Sequence, residues 1–105
     1  MKYMLLLGAD DETPEVDIAA ECVAWSADLG ARHLLAMGLY PPAEATTVRV
    51  RDGEVLVTDG PFAETKEQMG GVSVIECDSA DEARKIAATH PWARYGMIEV
   101  RQLLG

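Results

Sequence analysis

No stretch of this sequence approaches the roughly 18 to 20 consecutive apolar residues that a membrane-spanning helix needs. The N-terminal run Tyr3-Met4-Leu5-Leu6-Leu7 meets Asp10-Asp11-Glu12 rather than a small-residue cleavage site, so it reads as a strand and not as a signal segment. Basic residues are scarce: 9 Lys and Arg stand against 18 Asp and Glu, a net charge of −9. Scattered singly, they form no basic face for a phosphate backbone, and nucleic acid is excluded as the expected partner. Cys22 and Cys77 lie far apart in sequence with no second ligand nearby, which excludes a disulfide framework and a zinc site and fits reduced thiols in the cytoplasm. Two isolated histidines and dispersed acids make no metal-ligand cluster, and no phosphate-binding loop or cofactor motif is present, so neither metal nor cofactor is expected. With 105 residues the chain is expected to form one domain with a modest core, short for walling off a cavity alone, so a partner subunit is expected.

What is there is alternating strand and helix. Tyr3 to Leu7, apolar throughout, suits a central strand covered on both faces. Thr13 followed by Pro14 predicts a helix start, and Ile18, Cys22, Trp25 and Leu29 mark an apolar stripe ending near Gly30. Residues 33–40 read as a second strand closed by Pro41-Pro42. Thr47 to Arg51, Asp52-Gly53 and Glu54 to Thr58 predict a hairpin with a type I′ turn that sets Val50 opposite Val55 and Val48 opposite Val57. After a loop, Gly71 to Cys77 reads as a strand, Ser79 with Glu82 as a capping box, His90-Pro91 as a helix stop, and Met97 to Leu103 as the last strand. This order is the ferredoxin-like βαββαβ pattern of an α+β protein with an inserted β-hairpin. Both helices cover one sheet face, and the apolar strand at its centre calls for a second copy on the other, a homodimer of face-to-face sheets.

The segment Asp59-Gly60-Pro61-Phe62-Ala63-Glu64-Thr65-Lys66-Glu67-Gln68-Met69-Gly70-Gly71 is too rich in turn and ionisable residues for a plain connector. Together with the opening Met1 to Leu6, with Thr46-Thr47-Val48-Arg49, with His90-Pro91 and Arg94-Tyr95-Gly96, and with Glu99-Val100-Arg101, it resembles the YCII-related proteins, in the branch named for its Asp-Gly-Pro-Phe motif. The resemblance spans nearly the whole chain. It implies a ferredoxin-like subunit in a dimeric α/β barrel and no defined reaction. Some relatives act on breakdown products of chlorinated aromatics, and genes of this branch often neighbour those of extracytoplasmic-function sigma factors. In the YCII relatives a histidine and aspartate pair is a proposed active site. The aspartate maps to Asp59, whereas the first helix here carries Trp25 and Ser26 and no histidine, leaving His33 and His90 as alternatives.

The candidate catalytic residues are therefore Asp59, as a general acid or base, and His90. Gly60, Pro61, Phe62, Glu64 and Lys66 are candidate ligand-binding residues, with Lys66 able to clamp an anion. Each has a structural alternative: Asp59 as a cap on the turn's amides, His90 at a helix end, His33 as a satisfied strand histidine, and Phe62 and Trp92 as packing residues. The expected function is binding of a small molecule, or acid/base catalysis on it, in a dimer cavity beside this loop. A non-catalytic module of a sigma-factor pathway is the alternative.

Overall fold

The computed structural model describes residues 1–62 and 67–105. Along the chain run β1 (Lys2–Ala9), α1 (Ala19–Leu29), β2 (His33–Gly38), β3 (Thr46–Arg51), β4 (Glu54–Asp59), β5 (Gln68–Glu76), α2 (Ala80–Thr89) and β6 (Met97–Gln102). Four strands form an open sheet in the order β2-β5-β1-β6, every neighbouring pair antiparallel, while β3 and β4 form a separate two-stranded ribbon. This is an α+β arrangement compatible with a ferredoxin-like fold.

β1 lies in the middle of the sheet because its residues are apolar on both sides. Its register against β5 puts Tyr3 beside Ile75 and Leu5 beside Ser73 on one face, and Met4 beside Val74 and Leu6 beside Val72 on the other. Tyr3, Leu5 and Ile75 meet Trp25 and Leu29 of α1 and Ala83, Ile86 and Ala87 of α2 in the core. Leu5 and Ile75 are fully buried there. No helix belonging to that core cluster lies on the Met4 and Val74 face.

The hairpin has the register its turn dictates. Asp52 and Gly53 both take positive φ, 51° and 79°, the pattern of a type I′ turn. Arg51 faces Glu54, Val50 faces Val55, Val48 faces Val57 and Thr47 faces Thr58. At α2, the Glu82 amide donates to Ser79 Oγ at 3.1 Å. The returning carboxylate accepts from the Asp78 amide instead of Ser79's own, closing the capping box one residue early.

Several boundaries differ from the sequence expectation, among them those of α1, β2 and β5. α1 begins at Ala19 rather than after Thr13, because the Thr13 hydroxyl is engaged in a turn with Asp10: it donates to Asp10 Oδ1 at 2.9 Å and accepts from the Asp10 amide at 3.0 Å. Asp17 supplies a carboxylate instead, accepting from the Ala19 amide at 3.0 Å. β2 ends at Gly38, where Leu39 still donates to the Gly70 carbonyl at 3.0 Å. β5 starts at Gln68, so the end of the presumed loop is paired strand, and Gly71 permits the close approach: a Cβ there would lie 3.1 Å from the Met37 carbonyl oxygen.

The chain between α2 and β6 is locked by Trp92, whose indole Nε1 donates to the Gly8 carbonyl at 2.7 Å across the sheet end. Gly96 lies against both groups, and a Cβ on it would collide with the Gly8 oxygen and with Trp92 Nε1. Gly96→Ala is expected to cost about 2–3 kcal/mol by overpacking and by breaking this bond. Gly38→Ala, with nothing within 4 Å, is expected to change stability by about 0.5 kcal/mol or less. Denaturant melts of the two variants side by side check both values.

Candidate functional site

The apolar stripe of α1 aims Trp25 at the junction of the two helices and the sheet. Its Nε1 donates to Thr89 Oγ1 at 3.0 Å, and that hydroxyl donates to the Ile86 carbonyl at 2.7 Å, which fixes the indole against the last turn of α2. Two imidazoles pack on this one indole. His33, the first residue of β2, meets it edge-on with ring centroids 5.7 Å apart, and His90, at the end of α2, lies 4.5 Å away at 61°.

His90 is 3% exposed and opens the short 3₁₀ turn Pro91–Arg94. Its Nδ1 accepts from the Trp92 amide at 3.0 Å, so the neutral ring carries its proton on Nε2. Burial, and secondarily the nearby His33, push its pKa below the usual histidine value. His33 Nε2 is buried and has no hydrogen-bond partner, so His33 is not the satisfied strand histidine that its apolar neighbours suggested.

These side chains border a cavity of about 480 Å³ between α1, the 3₁₀ turn and the end of the sheet. Cys22, Trp25, His33, Ser73, His90 and Trp92 contribute to its wall, which among the described residues includes no Asp, Glu, Lys or Arg. Burial, with Glu21 adding to it, pushes the Cys22 thiol pKa up, which keeps that sulfur protonated and unreactive. Two imidazole rings in an apolar pocket can donate to, accept from, or pass a proton across a polar group of a bound molecule. Among the described residues no group of histidine, cysteine and carboxylate side chains is arranged to hold a metal ion.

The Asp-Gly-Pro-Phe motif lies elsewhere. Asp59 ends β4, exposed, and lines neither the histidine cavity nor the groove next to the motif. Gly60 takes φ +93°, its amide donates to the Ala45 carbonyl at 2.7 Å, and its own carbonyl accepts from the Thr47 hydroxyl at 2.7 Å. Main chain and Thr47 thus hold the turn to the start of β3. Pro61 and Phe62 border a groove with Leu39, Tyr40 and Met69, and Phe62 is 80% exposed. Glu64 and Lys66 lie outside the described residues. Within one chain, therefore, the structure groups His90 with His33 and Trp25 and does not group it with Asp59. Sequence spacing gives no hint of this trio, since residues 25, 33 and 90 meet only through the tertiary fold. The one local signal is Ser73, a lone hydroxyl on the buried side of an apolar strand.

The chain matches the YCII-related domain over residues 1–104 and belongs to that family. It is also 46% identical over 69 residues to an uncharacterized protein of Rhizobium meliloti (strain 1021), a match covering 62% of this chain. The chain spans about half, 54%, of that relative's length. No helix among the described residues is long and apolar enough to cross a membrane.

The lowered His90 pKa has a definite sign in stability. Above about pH 6.5 the ring is neutral both folded and unfolded and contributes no pH dependence. Below it the unfolded chain takes up a proton that the folded chain refuses, so stability declines until the folded ring also protonates. The melting temperature is expected to fall between pH 7 and pH 5.5 and to fall less in His90→Asn, which keeps an acceptor at the cap. An equal fall in both proteins removes His90 from this account.

Proposed function

We propose that this chain binds a small, uncharged, largely apolar molecule in the cavity between α1 and the sheet, with His33 and His90 making its polar contacts. The observation that carries the reading is the pair of imidazoles, His33 and His90, in the wall of a cavity of ligand size, with His33 Nε2 left without a hydrogen-bond partner. The described residues of that wall carry no charged side chain, which favours a neutral ligand, because a buried ion would find no counter-charge among them. If the bound molecule is turned over, the two imidazoles are the acid/base pair, with His90 donating through Nε2. Asp59 enters this chemistry only if another copy of the chain brings it to the cavity. We further propose that the functional unit is a homodimer in which the uncovered sheet faces of two copies meet and close the barrel, as the exposed Leu35 and Met37 beside Val74 and Val72 suggest.

Trp25 and Trp92 both lie in the wall, so indole fluorescence reports occupancy directly. Titration with phenol is expected to change it saturably, and benzoate is expected to bind at least tenfold more weakly. Ala36→Phe, which fills the cavity from an exposed position on β2, is expected to abolish the phenol response. His33→Phe is expected to weaken phenol about two- to tenfold, the loss of one hydrogen bond. Asp59→Asn is expected to leave binding unchanged. Benzoate binding as tightly as phenol, or a phenol response that survives Ala36→Phe, sinks the assignment.

A further inference from the structure

The hairpin register places Val48 and Val57 side by side, and next to them Val50 and Val55, all on one face of the ribbon. Arg49, Leu56, Arg51 and Glu54 share the opposite face. The valines are 58–66% exposed. Among the described residues the ribbon makes no substantial packing with either helix or with the four-stranded sheet. At its base it is tied by the Gly60 and Thr47 hydrogen bonds to Ala45 and Gly60. A lone two-stranded hairpin is marginal in water, so a ribbon with a block of four exposed valines on one face, beyond the Thr46 and Asp59 pair at its base, calls for something to lie on them.

The area of the chain says how much is to be covered. A folded monomer of 11.4 kDa exposes about 5,800 Å². This chain exposes 7430 Å², an excess of about 1,600 Å². Its radius of gyration of 15.6 Å likewise exceeds the roughly 13 Å of a compact chain of this length. An obligate dimer buries about 1,000–2,500 Å² on each partner, and the excess falls inside that range. The same molecule supplies a second unpartnered apolar surface, Leu34, Leu35, Met37 and Leu39 along β2. One two-fold axis lets both surfaces be used twice, which no heterologous partner requires.

We infer that the β3–β4 hairpin is a dimer arm whose valine face packs on a second copy of the chain. This rests on the homodimer reading above and adds to it a separate contact, away from the sheet faces.

Sedimentation and light scattering at micromolar concentration are expected to give twice the chain mass for the wild type. Val48→Thr, Val50→Thr, Val55→Thr and Val57→Thr combined keep β-branched shape and strand preference. That variant is expected to dissociate at least a hundredfold more readily, while Leu56→Thr on the opposite face leaves the dimer intact. Since the fourfold variant can fail to fold, hydrogen exchange of the wild type provides an independent reading: hairpin amides are expected to lose protection on dilution below the dissociation constant. A fourfold variant that is folded and still fully dimeric, or hairpin exchange independent of concentration, overturns the arm while leaving the face-to-face dimer standing. A wild-type monomer at 100 μM overturns both. Phenol binding, measured separately, bears on the cavity alone.

Discussion

Both helices lie on the same side of the sheet, and the rest of the molecule follows from that. The crossovers from β1 through α1 to β2 and from β5 through α2 to β6 each join parallel strands with one strand between them. With two such units interleaved in the order β2-β5-β1-β6, neither helix can reach the second face. Yet β1 and β5 are built as strands for burial on both sides, with Leu5 and Ile75 at full burial under the helices and Met4, Leu6 and Val74 behind them. One chain of this length thus completes one core and half of another. Its least extent, 19 Å, is that of a sheet with a single helical layer.

Under the helices the crossing is wedged open by Trp25. Because the indole is held by Thr89 and flanked by His33 and His90, the space beside it is not filled by aliphatic side chains, and a cavity remains where the core would otherwise close. Two polar rings in an apolar wall are costly unless something satisfies them. His90 is partly satisfied by the Trp92 amide, and that bond also fixes which nitrogen faces outward; His33 is not. The site is therefore rigid through its partners and incomplete through one atom, the combination that suits it to a ligand.

How much of this could be read from the residues depended on the range of the interaction. The Asp52-Gly53 turn fixes its own register, so the hairpin pairs follow from the sequence alone, and Ser79 and Glu82 mark α2 for the same reason. Thr13 misled because two local bonds compete for one hydroxyl, and Asp10, three residues back, prevails over a helix start. The cavity was not legible at all. The neighbours Leu34 and Leu35 say nothing of the surroundings of His33, which come from α1 and from the far end of α2. The Asp-Gly-Pro-Phe motif drew attention as chemistry, and Gly60 and Thr47 show it also at work as an anchor for the hairpin. The membership of the chain in the YCII-related family, by contrast, was carried by contiguous residues and needed no fold.

A last feature concerns the irregular start of β2. His33 faces Ile75 and Leu35 faces Val74, so Leu34 is an extra residue opposite no partner of its own. Without it, His33 and Leu35 would be immediate neighbours on alternate faces, and the sets His33 with Ala36 and Leu35 with Met37 would point as they do now. Position 34 is thus a place where the chain can shorten by a residue without exchanging its two surfaces. An added residue anywhere between 35 and 38 has the opposite effect, turning the histidine's side of the strand outward. Length variation among related chains should accordingly be permissive at one point of this strand and forbidden over the next few.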